Sequence, residues 1–232
     1  MMQYPSDSKA KADILKVGRY LFEKDLVAAN DGNISVRVGP RVLWTTPTGV
    51  SKGELVDSEL VKLDFDRNVL ESGMLSASSE VAMHIRIYEE RADVGGVCHA
   101  HPPAATAFAI AGIPLEPSEY PEALIALGVI PVAKYATTGT SAVPDSVAPY
   151  VKTHNACLLS NHGAVTWGRD LTEAWFRLHA LEQYARIRLY LKQLGQVREL
   201  SLDEIDTLLE IRRNLGVTTG GVPQRYLDLK GE

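Results

Sequence analysis

Residues Cys98–Pro103, CHAHPP, place two histidines one residue apart and then end the segment with a double proline. The apolar run before them predicts a β-strand over Val94–His101, which the prolines terminate because they have no backbone N–H for a strand ladder. Side chains alternate between the two faces of a strand, so His99 and His101 point the same way, about 6.5 to 7 Å apart. Both imidazoles can therefore reach one metal ion, although such a pair taken alone is more often two ordinary surface or core histidines.

The segments around this strand predict a single mixed α/β domain over residues 1–232. Alternating or short apolar runs predict further strands at 34–38, 42–44, 61–65, 131–135 and 156–159. Apolar spacing and capping residues predict helices over 9–25, from Ser78 or Ser79 to Tyr88, over 104–110, from 170 to 194 and from 201 to 216. Strands precede and separate the helices without strict βαβ alternation, and the front of the chain favours an antiparallel sheet.

The composition indicates a globular protein that binds neither nucleic acid nor membranes. Of 232 residues 45% are hydrophobic, the net charge is -5, and no block of Lys and Arg suggests a phosphate-backbone footprint. The longest apolar stretch, Ala104–Ile113, is shorter than the ~20 residues that a membrane span needs, and the first residues lack an apolar leader segment. Two cysteines, Cys98 and Cys157, are too few for a disulfide framework. We therefore expect a cytoplasmic protein.

A third histidine and a glutamate could complete a metal site around the pair. His162 follows a short predicted strand and precedes a glycine that permits a sharp turn, although an ordinary loop histidine has the same setting. Three neutral imidazoles leave a divalent ion its full charge, which makes it a good Lewis acid for a carbonyl. Glu80, at the start of a helix, is the candidate base; its alternative role is to complement the helix dipole. His84, His154 and His179 have no comparable setting, and we assign them no role.

Three short segments have the composition of an anion site. They contain N-D-G-N, T-P-T-G and a serine pair, which supply backbone N–H groups, small hydroxyls and a helix N-terminus that attracts phosphate. Each segment taken alone is explained more simply as a hairpin turn, a β-turn or an N-cap. Together the three segments, at 30–33, 46–49 and 78–79, indicate a phosphate pocket.

The order of these motifs resembles the class II aldolase/adducin family. The similarity extends from the first helix to about Leu194 and is carried by Gly32–Ser35, Thr46–Gly49, Ser78–Glu80, His99–His101, Tyr135–Thr140 and Asn161–Gly163. The resemblance implies a three-layer α/β/α sandwich around a mainly antiparallel sheet, and a homotetramer with active sites between subunits. It also implies that His99, His101 and His162 hold one Zn²⁺ per subunit. Glu80 would then be an occasional fourth ligand and the catalytic acid/base. The residues implied to surround a substrate phosphate are Gly32, Asn33, Thr48, Gly49, Ser78 and Ser79.

The reaction implied by the resemblance is reversible aldol cleavage of a phosphorylated ketose, such as L-fuculose 1-phosphate, to dihydroxyacetone phosphate and an aldehyde. Tyr120 matches a family tyrosine that reaches into a neighbouring subunit's site, where it would take the C4 hydroxyl proton. Two departures bear on sugar specificity: Thr138 replaces a bulky aromatic residue, and Ala100 lies between the histidines in place of a polar residue. Residues 217–232 are expected to form a flexible C-terminal tail.

Several alternatives remain open at this point. A ribulose-5-phosphate 4-epimerase shares the chemistry but has Asp where this chain has Glu80, whereas aldolases of methylthioribulose or 5-deoxyribulose 1-phosphate share the same core. A decarboxylase of a phosphorylated oxo-acid would also pass through the same enediolate. A non-catalytic adducin-like binding module predicts loss of the metal residues, which this chain retains. A structural zinc site usually has a fourth Cys or His ligand, and Cys98 faces away from the two histidines.

Overall fold

Eight β-strands form one central sheet in a computed structural model that describes residues 3–231. They are β1 (Asn33–Gly39), β2 (Val42–Thr45), β3 (Val61–Asp64), β4 (Val69–Glu71), β5 (Gly96–Ala100), β6 (Val132–Ala133), β7 (Ala156–Leu159) and β8 (Gly163–Gly168). Their order across the sheet is β4-β3-β2-β1-β5-β8-β7-β6. Neighbouring strands are antiparallel except β6 and β7, which are parallel. The strand that carries His99 and ends just before His101 therefore lies inside the sheet, between β1 and β8.

Helices cover both faces of the sheet. They are α1 (Asp7–Glu23), α2 (Val81–Glu90), α3 (Pro103–Ala111), α4 (Pro121–Ala126), α5 (Ala142–Val151), α6 (Leu171–Leu194), α7 (Leu202–Asn214) and α8 (Gln224–Lys230), with a short 3-10 helix at Asp57–Glu59. One core layer packs α1, α3 and α6 against the sheet, and a second packs α2 and α5 against the other face. The predicted three-layer α/β/α sandwich in one domain is confirmed. Within residues 3–231, no helix is long and apolar enough to cross a membrane.

The elements that the sequence did not predict have weak local signals. β8 is buried along its whole length, so its residues show no alternation of apolar and polar side chains. α5 contains Pro149 in its interior, and proline normally argues against a helix. Several boundaries also differ by a few residues: α1 begins at Asp7 behind the Ser6 cap, β5 covers Gly96–Ala100 instead of the predicted 94–101, and α2 begins at Val81 with Glu80 as its N-cap. Glu80 therefore lies at the junction of loop and helix.

The double proline separates β5 from α3, close to the predicted boundaries: the strand ends one residue before the predicted His101, and the helix begins one residue before the predicted Ala104. β5 stops at Ala100, Pro102 is the N-cap of α3, and Pro103 is its first residue. The first free N–H groups of α3, from Ala104 and Ala105, donate to the Glu182 carboxylate of α6 at 3.2 and 2.9 Å. A buried carboxylate thus caps the helix that directly follows the histidine pair, which fixes the end of β5 against α6.

Replacing Glu182 with alanine is expected to lower the free energy of unfolding by about 3 kcal/mol. The Glu182 side chain is 3% exposed and also pairs with Arg186 at 2.7 Å, so its removal leaves two helix N–H groups and a guanidinium without their acceptor. Urea denaturation measures the change. Glu210→Ala, at an exposed position on α7, is the control and should stay within about 0.5 kcal/mol of wild type. Equal losses in the two variants would contradict a capping role.

Candidate metal centre and active site

Three imidazoles meet at the C-terminal end of β5. His99 is the fourth residue of that strand, His101 follows it directly, and His162 lies in the loop between β7 and β8. Their ring centroids are 4.7 to 5.1 Å apart, and one ligand nitrogen from each ring lies within 4.8 Å of the others. The structure therefore brings together the three histidines that the sequence predicted as metal ligands.

A glycine allows His162 to approach the other two histidines. A Cβ built on Gly163 would lie 2.5 Å from the carbonyl oxygen of Ala100 and 2.7 Å from Cδ2 of His101. Asn161, the residue before His162, adopts a φ of 57°, in the left-handed region that asparagine tolerates better than most residues. Any larger residue at position 163 would push the β7–β8 hairpin away from the end of β5.

The hydrogen bonds of the histidines leave their Nε2 atoms available for a metal. His99 Nδ1 donates to the carbonyl oxygen of Ala164 at 2.9 Å, and His101 Nδ1 lies 3.2 Å from Oδ2 of Asp31. Among residues 3–231, the Nε2 atoms of His99 and His101 are buried without a hydrogen-bond partner. Burial lowers the pKa of His162 to about 4, and the neighbouring His99 acts in the same direction, so the His162 ring is neutral at pH 7. Converging, unpaired imidazole nitrogens fit a divalent metal ion.

Glu80 lies beside the three imidazoles. Its Oε2 accepts a hydrogen bond of 2.8 Å from Nδ2 of Asn33 and lies 3.3 Å from His99 Nε2, while its Oε1 lies 3.4 Å from His162 Nε2. Burial acts to raise the pKa of the carboxyl group, but the adjacent His99 and His162 rings and the hydrogen bond from the Asn33 amide outweigh it and hold the pKa well below its usual range. Glu80 is therefore an ionised carboxylate in the position of a fourth ligand or a base.

Strand β1 fixes the helix that carries Glu80. Ser35, two residues after Asn33 on the same strand, places its hydroxyl 2.8 Å from His84 Nδ1 and 2.7 Å from the Tyr88 hydroxyl. The Tyr88 hydroxyl also lies 3.0 Å from the Ser35 carbonyl oxygen, to which it donates. His84 and Tyr88 are one and two turns after Glu80 on α2, so these buried bonds align the helix with β1. The buried His84, which received no role from the sequence, helps to fix the position of Glu80.

An open pocket of about 390 Å³ adjoins the histidines and Glu80. All six residues predicted to surround a phosphate line it: Gly32, Asn33, Thr48, Gly49, Ser78 and Ser79. The pocket forms because Thr48 N–H donates to Ser76 O at 3.0 Å and Ser78 N–H donates to Thr46 O at 3.3 Å. The segments before β3 and before α2, distant in sequence, thus share a short antiparallel contact and present small polar residues to one cavity.

Other residues of the pocket were not among the predicted site residues. Asp31 lies between two residues of the predicted anion turn, yet its contact with His101 depends on a loop packing that local sequence does not reveal. Thr138 and Gly139 line the pocket across from the serine pair, within the Y-A-T-T-G-T motif that supported the resemblance. Thr138 therefore adds a hydroxyl group to the side of the pocket that faces Ser78 and Ser79.

Tyr120 lies outside this pocket. It is the N-cap of α4, and its ring centroid is 6.2 Å from that of Tyr184 on α6. The neighbouring Glu119 carboxylate anchors the segment, because it accepts hydrogen bonds from the Tyr184 hydroxyl at 3.0 Å and from Arg188 Nη1 at 2.9 Å. One chain therefore does not bring Tyr120 to its own histidines, and a role in another subunit's site stays a prediction.

Replacing Asp31 with asparagine is expected to weaken metal binding by about 10- to 100-fold. A carboxylate on Nδ1 of a ligating histidine fixes the tautomer and orientation of the ring and raises the basicity of Nε2. A competing chromophoric chelator measures the dissociation constant. Asp66→Asn is the control, because Asp66 is exposed and pairs only with Arg41 among the described residues. A change in affinity within about threefold for Asp31→Asn would show that Asp31 does not support the ligand.

The fold and the site together define a metal-dependent enzyme in which a carboxylate and an anion pocket flank three imidazoles. Comparison with known proteins identifies its family, since the model described as "Class II Aldolase and Adducin N-terminal domain" matches residues 12–189. The chain belongs to the class II aldolase/adducin family and is a metal-dependent lyase, as the resemblance implied.

Three relatives of this chain have names that describe three different activities within the family. An L-fuculose phosphate aldolase of Escherichia coli O6:H1 is 35% identical over 189 residues, 80% of this chain and 86% of the relative. A 5-methylthioribulose-1-phosphate/5-deoxyribulose-1-phosphate aldolase of Rhodospirillum rubrum is 32% identical over 80% of this chain and 82% of its own length. A 3-oxo-tetronate 4-phosphate decarboxylase of Pectobacterium atrosepticum is 27% identical over 88% and 94%.

A solved structure shows the same architecture. The structure described as L-fuculose 1-phosphate aldolase superimposes with a TM-score of 0.82 at 32% sequence identity. The superposition covers 90% of this chain and 98% of that chain. The arrangement of sheet and helices is therefore that of a class II aldolase.

Proposed function

We propose that this protein is a zinc-dependent aldolase that reversibly cleaves a ketose 1-phosphate to dihydroxyacetone phosphate and an aldehyde. L-fuculose 1-phosphate or a closely related sugar phosphate is the proposed substrate. The observation that carries the proposal is the convergence of three histidines and Glu80 on one pocket lined by small polar residues and backbone turns. The relatives named as L-fuculose phosphate aldolases support the choice of sugar.

The ligand set favours zinc. Three neutral imidazoles at the end of a strand are a common catalytic zinc set, which leaves one position open for the substrate. When bound, the ion would polarise the ketose carbonyl and stabilise negative charge on its oxygen. His99, His101 and His162 would hold it, with Glu80 as an occasional fourth ligand.

The chain's own residues then supply binding and proton transfer. Gly32, Asn33 and the Thr48–Gly49 turn bind the substrate phosphate together with Ser78 and Ser79, which orients the sugar with its carbonyl towards the histidines. In cleavage, the Glu80 carboxylate takes up a proton from solvent and delivers it to C3, the carbon left behind when the C3–C4 bond breaks, to give dihydroxyacetone phosphate.

Tyr120 is the proposed second proton carrier, acting from a neighbouring copy of the chain. It takes the C4 hydroxyl proton as the bond breaks, which requires a homotetramer with active sites at the subunit interfaces. The position of Tyr120 outside its own chain's pocket is compatible with that assembly. We propose a cytoplasmic location for this enzyme. A purified monomer with full activity would remove Tyr120 from this role.

The decisive experiment measures dihydroxyacetone phosphate release by the zinc-loaded protein. Fuculose 1-phosphate, ribulose 1-phosphate and methylthioribulose 1-phosphate are compared, with and without a chelator. We expect metal-dependent release, fastest from fuculose 1-phosphate. No release from any ketose phosphate, or release that survives complete removal of metal, would overturn the proposal.

Methylthioribulose or 5-deoxyribulose 1-phosphate is the second candidate substrate, favoured by the relative that is 32% identical. Apart from Pro47, no aliphatic or aromatic hydrocarbon side chain is among the described residues that line the pocket, which favours a hydroxylated aldehyde over a methylthio group. Faster release from methylthioribulose 1-phosphate would establish the second candidate. Product analysis for a 4-epimer or for CO₂ separates the aldolase from an epimerase and from a decarboxylase such as the 27% identical relative.

A further inference from the structure

Lys52 is a buried cation behind the anion pocket. Its residue is 1% exposed, and its ammonium group donates hydrogen bonds to the carbonyl oxygens of Asn30 at 2.9 Å and Val50 at 2.8 Å. Asn30 begins the N-D-G-N turn, and Val50 directly follows Gly49 of the T-P-T-G turn. One side chain therefore joins the two turns that line the pocket, without lining the pocket itself.

A buried ammonium group without an adjacent carboxylate is costly. Within residues 3–231, no carboxylate oxygen lies within ion-pair distance of Lys52, and its recorded hydrogen-bond acceptors are the two carbonyl oxygens. Burial lowers the pKa of Lys52 to about 8, an effect that the charge of Asp31 opposes, so the group is mostly charged at pH 7. An apolar side chain of similar length would fill the same space without this desolvation cost. It would, however, leave the carbonyl oxygens of Asn30 and Val50 without the donor that joins them.

We propose that Lys52 is a positioning residue for the substrate phosphate, whose ammonium ties the N-D-G-N turn to the T-P-T-G turn and places a positive charge behind both. The inference rests on the phosphate pocket of the proposed function. Lys52 acts through the turns and does not touch the ligand.

The charges around the pocket explain why such a cation is useful. Asp31 and Glu80 both line the pocket, and each carboxylate repels a phosphate dianion. The ammonium of Lys52 offsets part of that repulsion. It also binds the carbonyl oxygens of Asn30 and Val50, which keeps these partial negative charges paired with a cation. The backbone N–H groups and hydroxyls of the turns are then the groups left to meet the anion.

Lys52→Met in the zinc-loaded, full-length protein tests the inference. Methionine keeps the length of the side chain but removes both the charge and the two donated bonds. We expect the dissociation constant for inorganic phosphate and the KM for the ketose 1-phosphate to rise about tenfold or more, the scale of one unit charge acting across a few ångströms of protein. The kcat and the zinc affinity should change by less than about threefold, because Lys52 contacts neither the histidines nor Glu80.

Lys152→Met is the matched control. Lys152 is exposed on the surface, where it pairs with Glu90, so the substitution makes the same change in net charge far from the two turns. Wild-type phosphate affinity is expected for this variant. A tenfold loss in Lys152→Met as well would assign the effect to overall charge and overturn the role of Lys52.

The remaining outcomes separate this inference from the proposed function. Unchanged phosphate affinity in folded Lys52→Met overturns the inference while leaving the aldolase intact. A rise in KM accompanied by equally large decreases in kcat and in zinc affinity would show a general structural defect. That result would also overturn the inference. If wild-type protein binds zinc but neither inorganic phosphate nor a ketose phosphate, the proposed function itself fails. If Lys52→Met does not fold, Lys52→Gln, which is neutral and keeps a donor, is measured with the same expected loss.

Discussion

Replacing His162 with alanine is expected to remove high-affinity metal binding and to lower ketose phosphate cleavage by at least about 10³-fold. Metal ions supply several kcal/mol of charge stabilisation in the transition state, and each 1.36 kcal/mol is a tenfold change in rate. His162 is the most informative of the three ligands, since it lies in a hairpin loop where its ring supports no strand or helix. Metal content after gel filtration and steady-state kinetics measure the two effects.

Two further variants separate loss of the metal from loss of the fold. His179→Ala removes an exposed imidazole on α6 and should keep wild-type metal content and turnover. His99→Ala should lose metal as His162→Ala does, but it should also lower thermal stability, because His99 is fully buried in β5. Full metal occupancy in His162→Ala would place the ion elsewhere and would contradict the three-histidine site.

The local parts of this site were predictable, whereas the contacts that assemble it were not. The period of two along a strand was sufficient to place His99 and His101 on one side, and the double proline was sufficient to end the strand. Glu80 and His162 gained their roles from the resemblance, because a helix-capping glutamate and a loop histidine have no local signal that distinguishes them. The capping position of Glu80 also differs from the predicted start of the helix; Glu80 already has backbone angles of the helical region, φ -82° and ψ 0°, and helix boundaries of this kind are hard to place from sequence.

The pocket depends on pairings between distant segments. Asn33 lies opposite His99 in the β1–β5 register, so the strand that supplies a metal ligand also places the amide that holds Glu80. Pro47 and Ala77 form an isolated bridge that brings the T-P-T-G turn beside the serine pair. No local pattern encodes these contacts, which is why the sequence alone assigned no individual role to Asp31 or Lys52. The structure explains why the N-D-G-N motif has a glycine at position 32. Gly32 has a φ of 75°, and a Cβ built on it would lie only 2.8 Å from the carbonyl oxygen of His99, so a larger residue would be strained there.

Replacing Glu80 with glutamine is expected to keep the metal and to lower turnover by at least about 10²-fold. Glutamine preserves the size of the side chain and an oxygen that can accept from Asn33, but it cannot carry a proton between the substrate and solvent. Zinc content should stay near one ion per chain, since the three imidazoles are unchanged. Steady-state kinetics measure turnover, and Glu89→Gln, an exposed position on α2 that pairs with Arg41, should behave as wild type.

Hydrogen exchange assigns the lost step to Glu80. In the synthesis direction, the group that protonates the carbon must first remove a proton from dihydroxyacetone phosphate, so wild-type enzyme should exchange one hydrogen of this product with solvent deuterium. Glu80→Gln should lose this exchange along with cleavage. Tyr120→Phe should keep the exchange and lose cleavage, because its proposed proton belongs to the C4 hydroxyl, which dihydroxyacetone phosphate lacks. Exchange at the wild-type rate in Glu80→Gln would remove Glu80 from proton transfer even if cleavage were slow, since the two carriers act on different atoms.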